Sequence, residues 1–207
     1  MNYKLEDELQ KNDLRKDSWL NEKSVLLLSP HHAKDENQVF HKLYEKYSSS
    51  FPSHIWLCSS GSTSSTNETA KLVALSKAGF LESARTVNVH LEGRAEDVWG
   101  LALPRFHVGG LALYARSFLS GSSLFDYFDD FEKWAPSKFV FFLKKNKVTL
   151  ISLVPTQVFD LVKTQMRAPE NLRVAVVGGA ALEADLYSRA RALGWPLLPS
   201  FGMTEAG

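Results

Sequence analysis

The sequence predicts an α/β fold in which a mostly parallel sheet, or sheets, is flanked by helices. Three observations carry this. Short apolar runs alternate along the chain with segments of helical periodicity. The runs are continuous rather than alternating, as strands covered on both faces are. The glycine-, serine- and threonine-rich segments fall directly after these runs, where open α/β sheets carry their ligands.

The elements follow in order. Met1 to Leu20 is charged and lacks the apolar stretch of a signal peptide. Val25 to Leu28 is a short buried strand, and Gln38 to Tyr47 a helix with Val39, Leu43 and Tyr47 on one face. A turn at Ser48 to Pro52 leads into the strand Ile55 to Cys58 and then the biased segment Ser59 to Asn67. Thr69 to Ser83 is predicted as a helix with Leu72, Leu75 and Phe80 inward. Val98 to Leu103 is a strand stopped by Pro104, with a loop to Gly110 and a helix from Leu111 to Leu119. Phe139 to Lys145 is a helix, Thr149 to Val154 a strand, Thr156 to Lys163 a helix, and Val174 to Val177 a strand ending at Gly178-Gly179. Glu183 to Leu193 is a helix closed by Gly194, and Pro196 to Ser200 a last short strand. The polar loops at Ser59 to Asn67, Pro104 to Gly110, Gly178 to Ala180 and Gly202 to Glu205 all follow strands, which places them on one edge.

Composition narrows the function classes. The chain has 207 residues, 44% of them hydrophobic and 23% charged, and can bury a sizeable core. Its 24 basic and 23 acidic residues leave a net charge of +1, which offers no footprint for nucleic acid and points to a small-molecule partner. No apolar run is long enough to span a bilayer. Cys58 is the one cysteine, so there is no intrachain disulfide and no cysteine metal cluster, which leads us to expect a cytoplasmic protein.

Four segments can carry chemistry, and each has a plainer reading. Ser59 to Thr66 offers hydroxyls and N–H groups that can surround phosphate oxygens, without the Gly-Lys-Ser/Thr of a Walker loop; by composition alone a solvated surface loop is favoured. His107 lies between a strand end and a helix start, where a hydrogen-bonded structural histidine is the commoner case. Gly178-Gly179-Ala180 lets a flat ligand approach the backbone or simply makes a tight turn. Thr204-Glu205 can hold phosphate and a divalent cation, or cap a helix. No Gly-x-Ser-x-Gly elbow occurs, which argues against a serine hydrolase.

Taken together and in order, the segments Ser59-Ser-Gly-Ser-Thr63, Lys71-Leu-Val-Ala-Leu-Ser76, Leu103-Pro-Arg-Phe-His-Val-Gly-Gly110, Ser152-Leu-Val-Pro-Thr-Gln157, Val177-Gly-Gly-Ala-Ala181 and Ser200-Phe-Gly-Met-Thr-Glu-Ala-Gly207 resemble the adenylate-forming acyl-CoA synthetase superfamily. The resemblance covers roughly the last 150 residues and implies part of the large N-terminal domain of these enzymes. Three of these segments, at 103–110, 152–157 and 178–181, are similar to the o-succinylbenzoate-CoA ligases of menaquinone biosynthesis; ligases for other aryl or fatty acids share most of them.

The resemblance implies ATP, Mg²⁺ and CoA as partners beside a carboxylic acid, with ATP-dependent adenylation followed by thioester formation. It implies that Ser60, Gly61, Ser62 and Thr63 hold the β- and γ-phosphates and that Lys71 is the phosphate-loop lysine. Gly178, Gly179, Ala180 and Gly202 would line the adenine site, with Phe201 stacking on the base. Thr204 would contact the α-phosphate, Glu205 would hold Mg²⁺, and His107 would border the acid. Two departures stand out: Ser64 to Ala70 intervenes where the family carries Gly-x-Pro-Lys-Gly, and Leu72 replaces a glycine. The expected organisation is a short segment, residues 1–50, packed on a partial AMP-binding domain, residues 51–207, without the C-terminal lid domain. A chain of this kind is expected to show little or no ligase turnover alone, and a non-catalytic binding module is the alternative. The resemblance also allows a homodimer.

Overall fold

The structure, a computed structural model, describes residues 16–29, 34–59 and 71–206. In chain order the elements are α1 Lys16–Leu20, β1 Val25–Leu27, α2 Lys34–Tyr47, β2 His54–Ser59, β3 Lys71–Ser76, α3 Lys77–His90, β4 Val98–Leu101 and α4 Val108–Ser120. They continue with β5 Ser123–Asp126, α5 Tyr127–Asp130, α6 Pro136–Lys145, β6 Leu150–Leu153, α7 Pro155–Lys163, β7 Val174–Val177, α8 Ala184–Ala192 and β8 Leu197–Pro199. Single 3₁₀ turns lie at Ser48–Ser50 and Thr204–Ala206.

The larger sheet has five strands, all parallel, in the order β5-β4-β6-β7-β8. Each parallel step needs a crossover, and α4, α6, α7 and α8 supply them. The strand order reverses between β4 and β6, which opens a crevice beyond their carboxyl ends. One face packs Phe139, Phe142, Leu143, Val158 and Leu161 against Ile151, Leu153 and Ala175. Trp99, Leu101 and Leu150 face the other way, against Leu113 of α4. The predicted α/β class with a mostly parallel sheet is the one observed.

The smaller sheet, β1-β2-β3, pairs β1 parallel and β3 antiparallel to β2. Here the predicted helix from Thr69 to Ser83 is corrected. Residues 71–76 form β3, registered residue for residue on β2 from Ser59↔Lys71 to His54↔Ser76. The helix starts only at Lys77, where Ser76 caps it by accepting the Gly79 N–H at 3.1 Å. Of the predicted inward residues, Leu75 and Phe80 are buried, and Leu72 is only partly covered. The next described element after β2 is therefore its antiparallel partner β3 rather than a helix N-terminus.

Two further differences have physical causes. In α2 the face bearing Val39, Leu43 and Tyr47 points outward, while Phe40 is buried and Tyr44 meets the Trp56 ring edge-on at 5.9 Å. The strand β5, absent from the prediction, is a sheet edge whose residues alternate between exposed and half-buried, so it lacks a continuous apolar run.

Candidate active site

The carboxyl ends of β4, β6, β7 and β8 lie on one edge, and the loops that leave them carry most of the predicted residues. Gly178 follows β7 and donates its N–H to Leu153 O at 3.1 Å, which binds it to the end of β6. A Cβ there would stand 2.9 Å from Ser200 Oγ, so a larger residue would have to turn the Ser200 hydroxyl aside. Gly179 adopts φ +87°, a left-handed backbone. Ala180 beside it is exposed. The Ser200 N–H donates to Val177 O at 2.8 Å, and this bond delivers the chain from β8 to Phe201. Phe201 is 98% exposed and nothing crowds Gly202, so a flat face stands open beside the Gly178 turn.

The 3₁₀ turn Thr204–Ala206 packs against β3. That contact brings Thr204, half-buried, and Glu205, exposed, to the strand whose first residue is Lys71. Lys71 is exposed and faces Ser59 across the hairpin. Ser60, Gly61, Ser62 and Thr63 lie outside the described residues. Among the described residues there is no group of three side chains able to hold a metal ion. Glu205, exposed, is the carboxylate that stands beside half-buried Thr204 in the 3₁₀ turn.

His107 ends the loop from β4 and is the N-cap residue of α4, with extended backbone at φ −103°, ψ 149°. Its N–H donates to Pro104 O at 3.1 Å and its carbonyl accepts from Leu111 N at 2.9 Å. Its ring lies 4.7 Å from that of Phe106. The loop is tight because Gly110 passes under Pro104: a Cβ on Gly110 would collide with the Pro104 carbonyl. Gln157 ties the same loop to β6, accepting the Val154 N–H at 3.1 Å and donating to Ala102 O at 2.8 Å.

Two charged groups of this region are absent from the sequence prediction. Arg116 of α4 lies over strands β4 and β6, with its guanidinium 5.6 Å from the Trp99 ring centroid and Nη1 3.4 Å from Ser152 Oγ. Its Nε is enclosed and has no hydrogen-bond partner, and burial pushes its pKa down to about 10. No carboxylate among the described residues pairs with it. Arg105 bonds Asp126 at the end of β5. The signal for Arg116 was legible: it is the one charge in Val-Gly-Gly-Leu-Ala-Leu-Tyr-Ala-Arg-Ser-Phe-Leu-Ser.

A parallel sheet with loops gathered on its carboxyl edge places the chain in the class of open α/β proteins that carry ligands at that edge. The chain belongs to the AMP-binding enzyme family, whose model matches residues 23–207. It is 31% identical over 110 residues to the 2-succinylbenzoate–CoA ligase of Bacillus subtilis (strain 168), covering 53% of this chain and 22% of that protein. It is 30% identical over 147 residues to the enzyme of that name from Enterococcus faecalis, covering 69% of this chain and 29% of that one. Among solved structures it is similar to o-succinylbenzoate CoA synthetase of Bacillus subtilis in complex with ATP and magnesium ion, at a TM-score of 0.64 and 28% identity over 73% of this chain and 30% of that chain. The same enzyme with its acyl-adenylate intermediate matches equally, at a TM-score of 0.64. The chain thus spans less than a third of the length of these relatives.

Proposed function

We propose that this chain supplies the nucleotide- and acid-binding part of an ATP-dependent acid–CoA ligase whose acid is o-succinylbenzoate. In that reaction a carboxylate oxygen of the acid bonds to the α-phosphorus of ATP as the α–β bridging bond breaks and pyrophosphate leaves. The CoA thiolate then adds to the acyl carbon and AMP departs. Both steps gather anions, so the protein's work is to hold them in line and to meet the charge that builds on phosphate.

The observation that carries the reading is the meeting of Thr204–Ala206 with β3 on the edge that also presents Gly178 and Phe201. Gly178, Gly179, Ala180 and Gly202 would form the floor of an adenine site with Phe201 as its stacking face. Thr204 would donate to the α-phosphate, and Lys71 with Ser60 to Thr63 would take the outer phosphates. Glu205 would hold Mg²⁺, which supplies charge neutralisation on the phosphates when bound. His107, at the mouth of the α4 loop, would border the reacting carboxylate. Arg116 favours o-succinylbenzoate over a fatty acid or benzoate, because an enclosed guanidinium without a counter-ion is stabilised by a second carboxylate. The narrow ligand class is also that of the relatives named above.

Calorimetry of the full chain with a non-hydrolysable o-succinylbenzoyl-adenylate analogue tests the assignment. We expect it to bind about tenfold more tightly than the benzoyl analogue, a difference of ~1.4 kcal/mol. Arg116→Ala should remove that preference while leaving AMP affinity unchanged. Equal affinities in the wild type would refute the o-succinylbenzoate assignment, and binding of neither would refute the ligase reading.

A further inference from the structure

Within the Leu103–Gly110 segment Arg105 is the one Lys, Arg, Asp or Glu. Its side chain is half-buried against the end of β5. The guanidinium Nη2 donates to Asp126 Oδ2 at 3.1 Å and lies 3.8 Å from Asp129 Oδ1. The Asp126 side chain is only 8% exposed, whereas that of Asp129 is 75% exposed. The other Asp126 oxygen accepts the Phe128 N–H at 2.9 Å and so caps α5. Asp126 itself is paired with Leu101, the last residue of β4, in the parallel register.

Arg105 therefore closes a ring of constraints. One side runs through the backbone from Leu101 to Arg105, and the other through the β4–β5 ladder to the Asp126 carboxylate. His107 is two residues from the closure and is held on its other side by Pro104 O and by α4. A buried carboxylate with a single charged partner fixes that partner more firmly than a surface pair does.

Building on the reading that His107 borders the acid, we propose that Arg105 is a positioning residue for the acid pocket: it anchors the His107 loop to the buried Asp126 carboxylate. Its effect should fall on ligands that carry an acyl group and spare those that carry only the nucleotide. Asp129 lies in the same charged group but takes little part, because it is open to water.

The test uses the full chain and four substitutions, Arg105→Leu, Arg105→Lys, Asp126→Asn and Asp129→Asn. Two quantities are read: amide hydrogen exchange at Phe106 to Val108, and calorimetric affinity for the o-succinylbenzoyl-adenylate analogue and for AMP. Arg105→Leu and Asp126→Asn should each speed exchange of the His107 amide about tenfold and weaken the analogue by about the same factor, with AMP within about twofold. Arg105→Lys should recover most of both losses, and Asp129→Asn should match the wild type. The Arg105→Leu/Asp126→Asn double variant should be no worse than either single one. Unchanged His107 exchange in a folded Arg105→Leu chain would overturn the proposal, as would equal weakening of analogue and AMP. If Arg105→Leu does not fold, Arg105→Lys and Asp126→Asn decide by the same two readouts. Should the wild type bind neither ligand, the ligase reading falls, and the exchange data alone decide whether Arg105 holds the loop.

Discussion

Gly110 determines whether the His107 loop can lie against its own helix. Gly110→Ala forces a methyl group onto the Pro104 carbonyl, backbone against backbone, and we expect a loss of about 3 kcal/mol, the upper end of overpacking costs, in urea unfolding. Cys58 makes a contrasting case. Burial, with the Glu36 carboxylate nearby, pushes its thiol up to about 11, so alkylation at neutral pH should be negligible in the folded chain and rapid after denaturation. Asp126 should make stability pH-dependent. Burial raises its carboxyl above the usual range, against the opposing pull of the Phe128 N–H and Arg105. The folded chain then binds that proton more tightly than the unfolded chain does, so the contribution is present in acid and lost as the pH rises through the folded titration. Relative to Asp126→Asn, the wild type should lose stability as the pH rises from below the ordinary carboxylate range through the raised folded titration, which parallel urea titrations would measure. At this scale the sequence was informative where chemistry needs a particular backbone, as at Gly178-Gly179. It was silent at Asp126, whose importance comes from a partner 21 residues away, Arg105.

The elements show which patterns a sequence can reveal. Strands β4, β6 and β7 are buried on both faces, and their short apolar runs mark them to within two residues. Lys71-Leu-Val-Ala-Leu-Ser76 can be read as the first turns of a helix or as a strand. The choice was made by β2, which offers six paired residues, a tertiary preference that local propensity does not contain. The helix boundary that results is set by one hydroxyl. Ser76→Ala should cost about 1 kcal/mol and loosen the first turn of α3, visible as faster exchange of the Gly79 amide. The face of α2 was ambiguous for a similar reason: its apolar residues lie on two sides, and Trp56 decides which side is covered.

For the whole molecule, the two sheets are joined by packing of α3 on α4 and meet again where Thr204–Ala206 touches β3. A nucleotide bridging that junction should protect both segments at once. Hydrogen exchange with Mg-ATP is expected to slow at residues 71–76 and 201–206 together, and protection of one without the other would argue against a shared site. The hairpin has one more consequence. Its two strands are fixed in register by buried Ile55, Leu57 and Leu75. Doubling the length of a flexible connection adds only about 0.6 kcal/mol of closure entropy. The register of the scaffold is therefore set by the paired strands themselves, and a change in the length of chain between Ser59 and Lys71 should shift stability by only a fraction of a kcal/mol, a decoupling of connection length from stability.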